Sequence, residues 1–141
     1  MYGINGKPMN FLTYIVAIGL LVIAVALGLN PAYGRTIQVD PNDCATLAAS
    51  VFVMNKYIRD SYPPMEQVEP IVNNLKRSGG VDISDSVKYL VVHLSLYFHH
   101  LVSDPMIRER ISDQWLSHAS DRIFQFCVSE GGTFNLPEHE V

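Results

Sequence analysis

The chain has 141 residues, 48% apolar and 17% charged, with 10 Lys and Arg against 14 Asp and Glu and a formal net charge of −4. That length holds one ordinary domain, and the mixture is too hydrophobic for a disordered chain and too polar for a protein that crosses a membrane many times. An acidic chain also lacks the basic face that phosphate neutralisation requires, which argues against nucleic acid as a partner.

The charges are unevenly spread. The first 34 residues hold only Lys7, while the other nine basic residues and all 14 acidic ones follow. Within this opening, FLTYIVAIGLLVIAVALGL runs from Phe11 to Leu29, 19 residues without a charge. As a helix it would be about 28 Å long, enough to reach across a bilayer core. A surface helix of a folded domain shows polar residues at every turn, so this run reads as membrane-engaging. Lys7 and the amino terminus precede it, which keeps the N-terminus in the cytoplasm and exports the remainder. Pro31 breaks the helix, and Ala32 and Gly34 stand in A-x-G order before Arg35. Residues 1–34 therefore read as a signal peptide cleaved after Gly34, leaving a soluble periplasmic or extracellular protein. The length of the run and its single preceding lysine support the alternative, an uncleaved inner-membrane anchor with the domain outside the cytoplasm. Arg35 to Val39 reads as a linker.

Residues 40–130 read as an all-α domain. Asp40 is a natural N-cap with Pro41 at the first helical position and Asp43 in the first turn. Cys44, Leu47, Ala48, Val51 and Ile58 then recur on one face until Pro63 and Pro64 stop the helix. A second helix is expected from Met65, Val68, Val72 and Leu75, with Pro70 kinking it or marking its start and Gly79 ending it. A third follows an Asp82 or Ser84 cap, with Val87, Leu90, Val91, Leu94, Phe98 and Leu101 as its apolar stripe. In the fourth, Asp104 caps, Pro105 leads, and Ile107, Ile111, Trp115, Ala119, Ile123 and Cys127 run down one face to Gly131. Short connections make such helices antiparallel neighbours, a small up-down-up-down four-helix bundle.

That arrangement sets the end of the fourth helix beside the start of the first. It brings Cys44 to Cys127, the only two cysteines, and predicts a disulfide. Neither cysteine has a second Cys or a His at zinc-ligand spacing.

No motif for catalysis or for a cofactor stands out. In HLSLYFHHL, His93 and His100 share a face two turns apart, about 10 Å along the axis, and His99 points about 100° from His100. Neither pair has the i, i+4 spacing that lets two imidazoles reach one ion, so no metal site is expected. Ser117, His118 and Ser120 lie together without a strained elbow or a glycine-rich oxyanion loop. His93, His100 and Tyr97 instead suggest a face that contacts a partner, with pH-sensitive histidines. In the tail, residues 131–141, expected to be a flexible segment, Phe134 and Leu136 are apolar positions that fold back onto the bundle or fray, or offer a second candidate contact by strand addition or by capture of the terminal Val141 carboxylate in a pocket.

An export signal, a small acidic helical domain and one disulfide form a layout similar to that of periplasmic inhibitors, including phage proteins that block lysozymes and immunity proteins for secreted amidases. The similarity is one of layout, without a shared motif. It implies a non-enzymatic interaction module that binds another envelope protein, as an inhibitor or immunity-type protein for a cell-wall hydrolase. The alternatives are a single-pass accessory subunit of a membrane complex, held by residues 11–29, and a small enzyme or ligand carrier with a site inside the bundle.

Overall fold

The computed structural model describes residues 34–77 and 79–137; the expected membrane-engaging segment 11–29 and the cleavage motif up to Tyr33 lie outside them. The chain is mostly helical. In order it forms β1 (Gly34–Gln38), α1 (Cys44–Ser61), α2 (Val68–Asn73), α3 (Asp85–Leu101), α4 (Pro105–Arg110), α5 (Asp113–Ser129) and β2 (Thr133–Pro137). Single 3-10 turns, Pro41–Asp43 and Met65–Gln67, lead into α1 and α2. Among the described residues no helix is long and apolar enough to cross a membrane.

A side chain satisfies free amides at the start of α3, at the start of α5 and at the 3-10 turn that leads into α1. The Asp40 carboxylate accepts from the Asn42 amide at 2.9 Å, Ser84 Oγ from Val87 at 3.3 Å and Ser112 Oγ from Trp115 at 3.0 Å. Leu47, Val51, Met54, Ile58, Leu90, Leu116 and Ile123 are sealed in the core these helices share. Each such side chain contributes roughly 1.5–3 kcal/mol by leaving water.

The helices do not form four equal rods. α1 packs against both α3 and α5. α5 runs antiparallel to α1: Cys44 at the start of α1 is bonded to Cys127 near the end of α5, with Cα atoms 5.7 Å apart. At the other end, Arg59 of α1 pairs with Asp113 of α5 at 2.6 Å. α1 and α3 run the same way, because Tyr62 after α1 stacks on His99 near the end of α3 at 4.5 Å. The short α2 and residues 74–84 make the return between them. The expected second helix stops at Asn73, and the Asn74 amide group donates to the Pro70 carbonyl at 3.0 Å instead of letting the helix continue.

The expected fourth helix is two helices. α4 ends at Arg110, Ile111 is extended at ψ 117°, and Ser112 starts α5 as a fresh N-cap. Arg59 latches this break, since its Nη1 donates to the Ile111 carbonyl at 3.1 Å. Hydrogen bonds from Arg59 and then Lys56 hold the Asp113 carboxyl below the ordinary carboxylate range. A carboxyl with a depressed folded-state pKa stabilises the fold above its unfolded value and loses that contribution as pH falls through the folded value. Asp113→Asn is therefore expected to melt earlier than the parent at pH 7, by a gap that narrows at about pH 2.5. Thermal melts at the two pH values check this, and a gap of equal size at both would refute a charge-based role.

The linker also differs from expectation, while Phe134 and Leu136 of the tail do fold back onto the domain. Residues 35–39 are no linker, and residues 131–137 are no loose tail, because β1 and β2 pair antiparallel with Ile37 opposite Phe134 and Arg35 opposite Leu136. Alternation turns Ile37, Val39, Phe134 and Leu136 inward, where all four are buried, and leaves Thr36 and Gln38 outside. Outside, Thr36 Oγ1 donates to Asn135 at 2.9 Å and Thr133 Oγ1 to Gln38 at 2.7 Å. Gly132, at φ 83°, makes the turn from α5 possible: a Cβ there would strike the Val39 carbonyl. The ribbon and the disulfide thus fasten both ends of the domain at one place.

Candidate binding groove

α3 carries an aromatic ladder at one-turn spacing. Tyr89 and His93 stack at 6.2 Å, and His93 meets Tyr97 at 5.2 Å in a tilted arrangement. The i, i+4, i+8 register puts the three rings on one face. From the side of β1, Arg35 lies over Tyr89 with its Cζ 4.7 Å from the ring centre, and its Nη1 donates to the Tyr89 hydroxyl at 3.4 Å.

On the other side of Tyr89 and His93, α2 and the turn before it run along α3 without closing on it. The gap is a groove of ≈ 650 Å³, a volume typical of ligand clefts. Tyr89, Val92, His93 and Leu96 line it from α3, and Met65, Glu66, Glu69 and Asn73 from the facing segment. Asp85 and Lys88 stand at the lower end. Three carboxylates against one ammonium make its rim acidic.

The expected contact residues divide. His93 is buried at 4% exposure and forms part of the groove wall, and Tyr97 is half-buried against it. His100 is exposed, so the structure does not bring it to the buried ladder. Phe134 and Leu136 are not surface contacts: at 0% and 1% exposure they belong to the core, with Phe134 5.5 Å from the Phe126 ring. The sequence reading missed Tyr89, Glu66, Glu69 and Asp85. Its overlooked signal was Tyr89-x3-His93-x3-Tyr97, one face of one helix.

His99 has a structural place. Its Nε2 lies 2.8 Å from the Pro63 carbonyl, which requires that nitrogen to carry the proton. Tyr62, left-handed at φ 39°, is sandwiched between the His99 ring and Arg108, whose Cζ sits 4.2 Å from its ring centre. The stack holds a conformation that costs a non-glycine residue about 1–2 kcal/mol.

The serine and histidine of α5 do not assemble a nucleophile. Ser117 lines a shallow groove between α1 and α5 with Ser120, Asp121 and Phe124, and His118, exposed, lies outside its lining. Among the described residues, no group of three or more His, Cys, Asp or Glu is placed to hold a metal ion. The buried Cys44–Cys127 bridge is compatible with an exported protein or another oxidising compartment. Comparison with family models, curated proteins and solved structures finds no match to this chain.

Proposed function

We propose that the protein is an exported, non-enzymatic interaction module that binds another envelope protein through the groove between α2 and α3, in the manner of an inhibitor or immunity-type protein for a cell-wall hydrolase. The observation that carries this reading is the groove itself. It presents aromatic and apolar side chains in its wall and carboxylates on its rim, the combination of apolar contact with orienting polar groups that suits recognition. Export is supported by the uncharged run Phe11 to Leu29 and by the disulfide. A site-specific photo-crosslinker at Met65, which is 40% exposed at the groove, tests the reading in the native envelope. Met106, 64% exposed on α4 and outside the groove lining, is the comparison site. The expected result is one envelope protein captured from position 65 and not from 106; equal capture from both, or none from 65, overturns it.

One observation favours a second reading, the single-pass accessory subunit. β1 starts at Gly34, five residues after Leu29, so an uncut chain would hold the ribbon directly against the membrane. N-terminal sequencing separates the two. Arg35 as first residue sinks the anchor, and an intact Met1 in the membrane fraction sinks cleavage.

A further inference from the structure

We propose that the β1–β2 ribbon guards the processing site: the bond between Gly34 and Arg35 is open to a peptidase only until β2 pairs with β1, so the fold itself ends the interval in which the domain can be released. The inference rests on the export reading above and adds to it the order of cleavage and folding. The cut is a hydrolysis. The bond from the Gly34 carbonyl carbon to the Arg35 nitrogen breaks, and one water supplies the hydroxyl of the new Gly34 carboxyl and the hydrogen of the new Arg35 amine. A peptidase that holds its substrate as an extended strand needs main-chain amides and carbonyls on both sides of that bond to be free.

The folded domain takes that freedom away. Gly34 and Arg35 are the first two residues of β1 and stand opposite Pro137 and Leu136 in the antiparallel ribbon. Leu136 is 1% exposed, so the strand facing Arg35 is anchored in the core. The next pair is tied through its side chains as well, with Thr36 Oγ1 donating to Asn135 at 2.9 Å. From α3, Tyr89 lies under the Arg35 guanidinium and accepts from its Nη1. The residue that follows the scissile bond is thus held by β2 and by α3 together. Proteolysis inside a folded segment goes through its local opening. Opening here has to lift β2 away, and β2 carries both Phe134 and Leu136 into the core.

Chain order sets the timing. β2, Thr133–Pro137, is made and exported after everything from β1 through α5. Until it arrives, β1 lacks the strand that it pairs with among the described residues, and a strand of five residues has no stability of its own. Once α5 is in place, the Cys44–Cys127 bridge holds its end beside the start of α1, and the Val39 amide bonds the Gly132 carbonyl at 2.8 Å. Both keep β2 at a high effective concentration next to β1, which favours the closed ribbon. A chain whose ribbon has closed keeps the N-terminus that it has at that moment.

The test is incubation of the oxidised full-length protein in detergent with a membrane-bound signal peptidase, followed by intact mass as the appearance of a chain that begins at Arg35. Leu136→Asp puts a carboxylate at a buried position of the ribbon, far in sequence from the bond, and opens the pairing. Cys44→Ala/Cys127→Ala loosens the same end with both strands intact, and it is the variant compared if Leu136→Asp loses its helical spectrum. Val128→Ala, exposed on α5, is the control. The expected result is cleavage at least about tenfold faster in Leu136→Asp than in the parent, faster cleavage in the cysteine pair, and no change in Val128→Ala. A parent cut as fast as the variant compared with it overturns the proposal and leaves the cleavage reading standing, since the bond is then recognised and not guarded. No chain beginning at Arg35 from any form removes the cleavage reading, and the proposal with it.

Discussion

Replacing both Cys44 and Cys127 with alanine is expected to lower the melting temperature of the oxidised protein by roughly 20–35 °C, with the helical spectrum at 20 °C preserved or largely so. The bridge closes a loop of 83 residues, almost the whole described domain. On the chain-entropy account, a crosslink of that span removes about 4.5 kcal/mol of denatured-state freedom, an upper value for a strain-free bond. Both cysteines are in the core at 1% and 0% exposure, so the double variant also loses buried sulfur contacts. Residual structure is expected because the same end is held a second time. The β1–β2 pairing and the bond from the Val39 amide to the Gly132 carbonyl, 2.8 Å, fasten the first and last elements independently. Thermal melts of parent and variant under non-reducing conditions check this, and a difference under 5 °C would mean that the ribbon alone suffices.

Much of the helical architecture was legible from local chemistry. Two Asp-Pro starts, at Asp40 and Asp104, announce helices because the carboxylate satisfies free amides and proline has none to satisfy. The apolar stripes of α1 and α3 fall on the buried faces, as does the pairing of Cys44 with Cys127. The break at Ile111 was hidden because Ile107, Ile111, Trp115 and Ala119 keep four-residue spacing straight through it. Its signal is polar: Ser112 followed by Asp113, a second cap within the stripe, drawn out by Arg59 from another helix. Such a contact has no trace in the spacing of one segment.

The ribbon was hidden for a different reason. RTIQV and TFNLP alternate for only a few residues each, and neither can form a stable strand alone. Only the pairing of Ile37 with Phe134, 97 positions apart in the chain, makes them β-structure. The groove was half legible. His93 was legible, but Tyr89 on the same face has no part in the histidine spacing, and Glu66 and Glu69 reach that face only through the fold.

Phe134→Ala is expected to destabilise the protein by about 3–5 kcal/mol, as removal of a fully buried aromatic ring does. The ring is 0% exposed, packs 5.5 Å from Phe126 and stands opposite Ile37. Its loss leaves a void between the ribbon and α5 that a two-stranded sheet cannot close by itself. The amides of β1 and of Val39 should then exchange faster with solvent than the amides of α3, because the ribbon opens before the helices do. Val128→Ala provides the comparison, since Val128 is 54% exposed and its truncation is expected to stay within about 0.5 kcal/mol. Denaturant midpoints of the two variants, with hydrogen exchange of the first, measure both effects. A tail that served only as an external ligand would give the opposite pattern, with Phe134→Ala as silent as Val128→Ala. The distinction reaches function: once Phe134 and Leu136 are committed to the core, they are withdrawn from any partner surface.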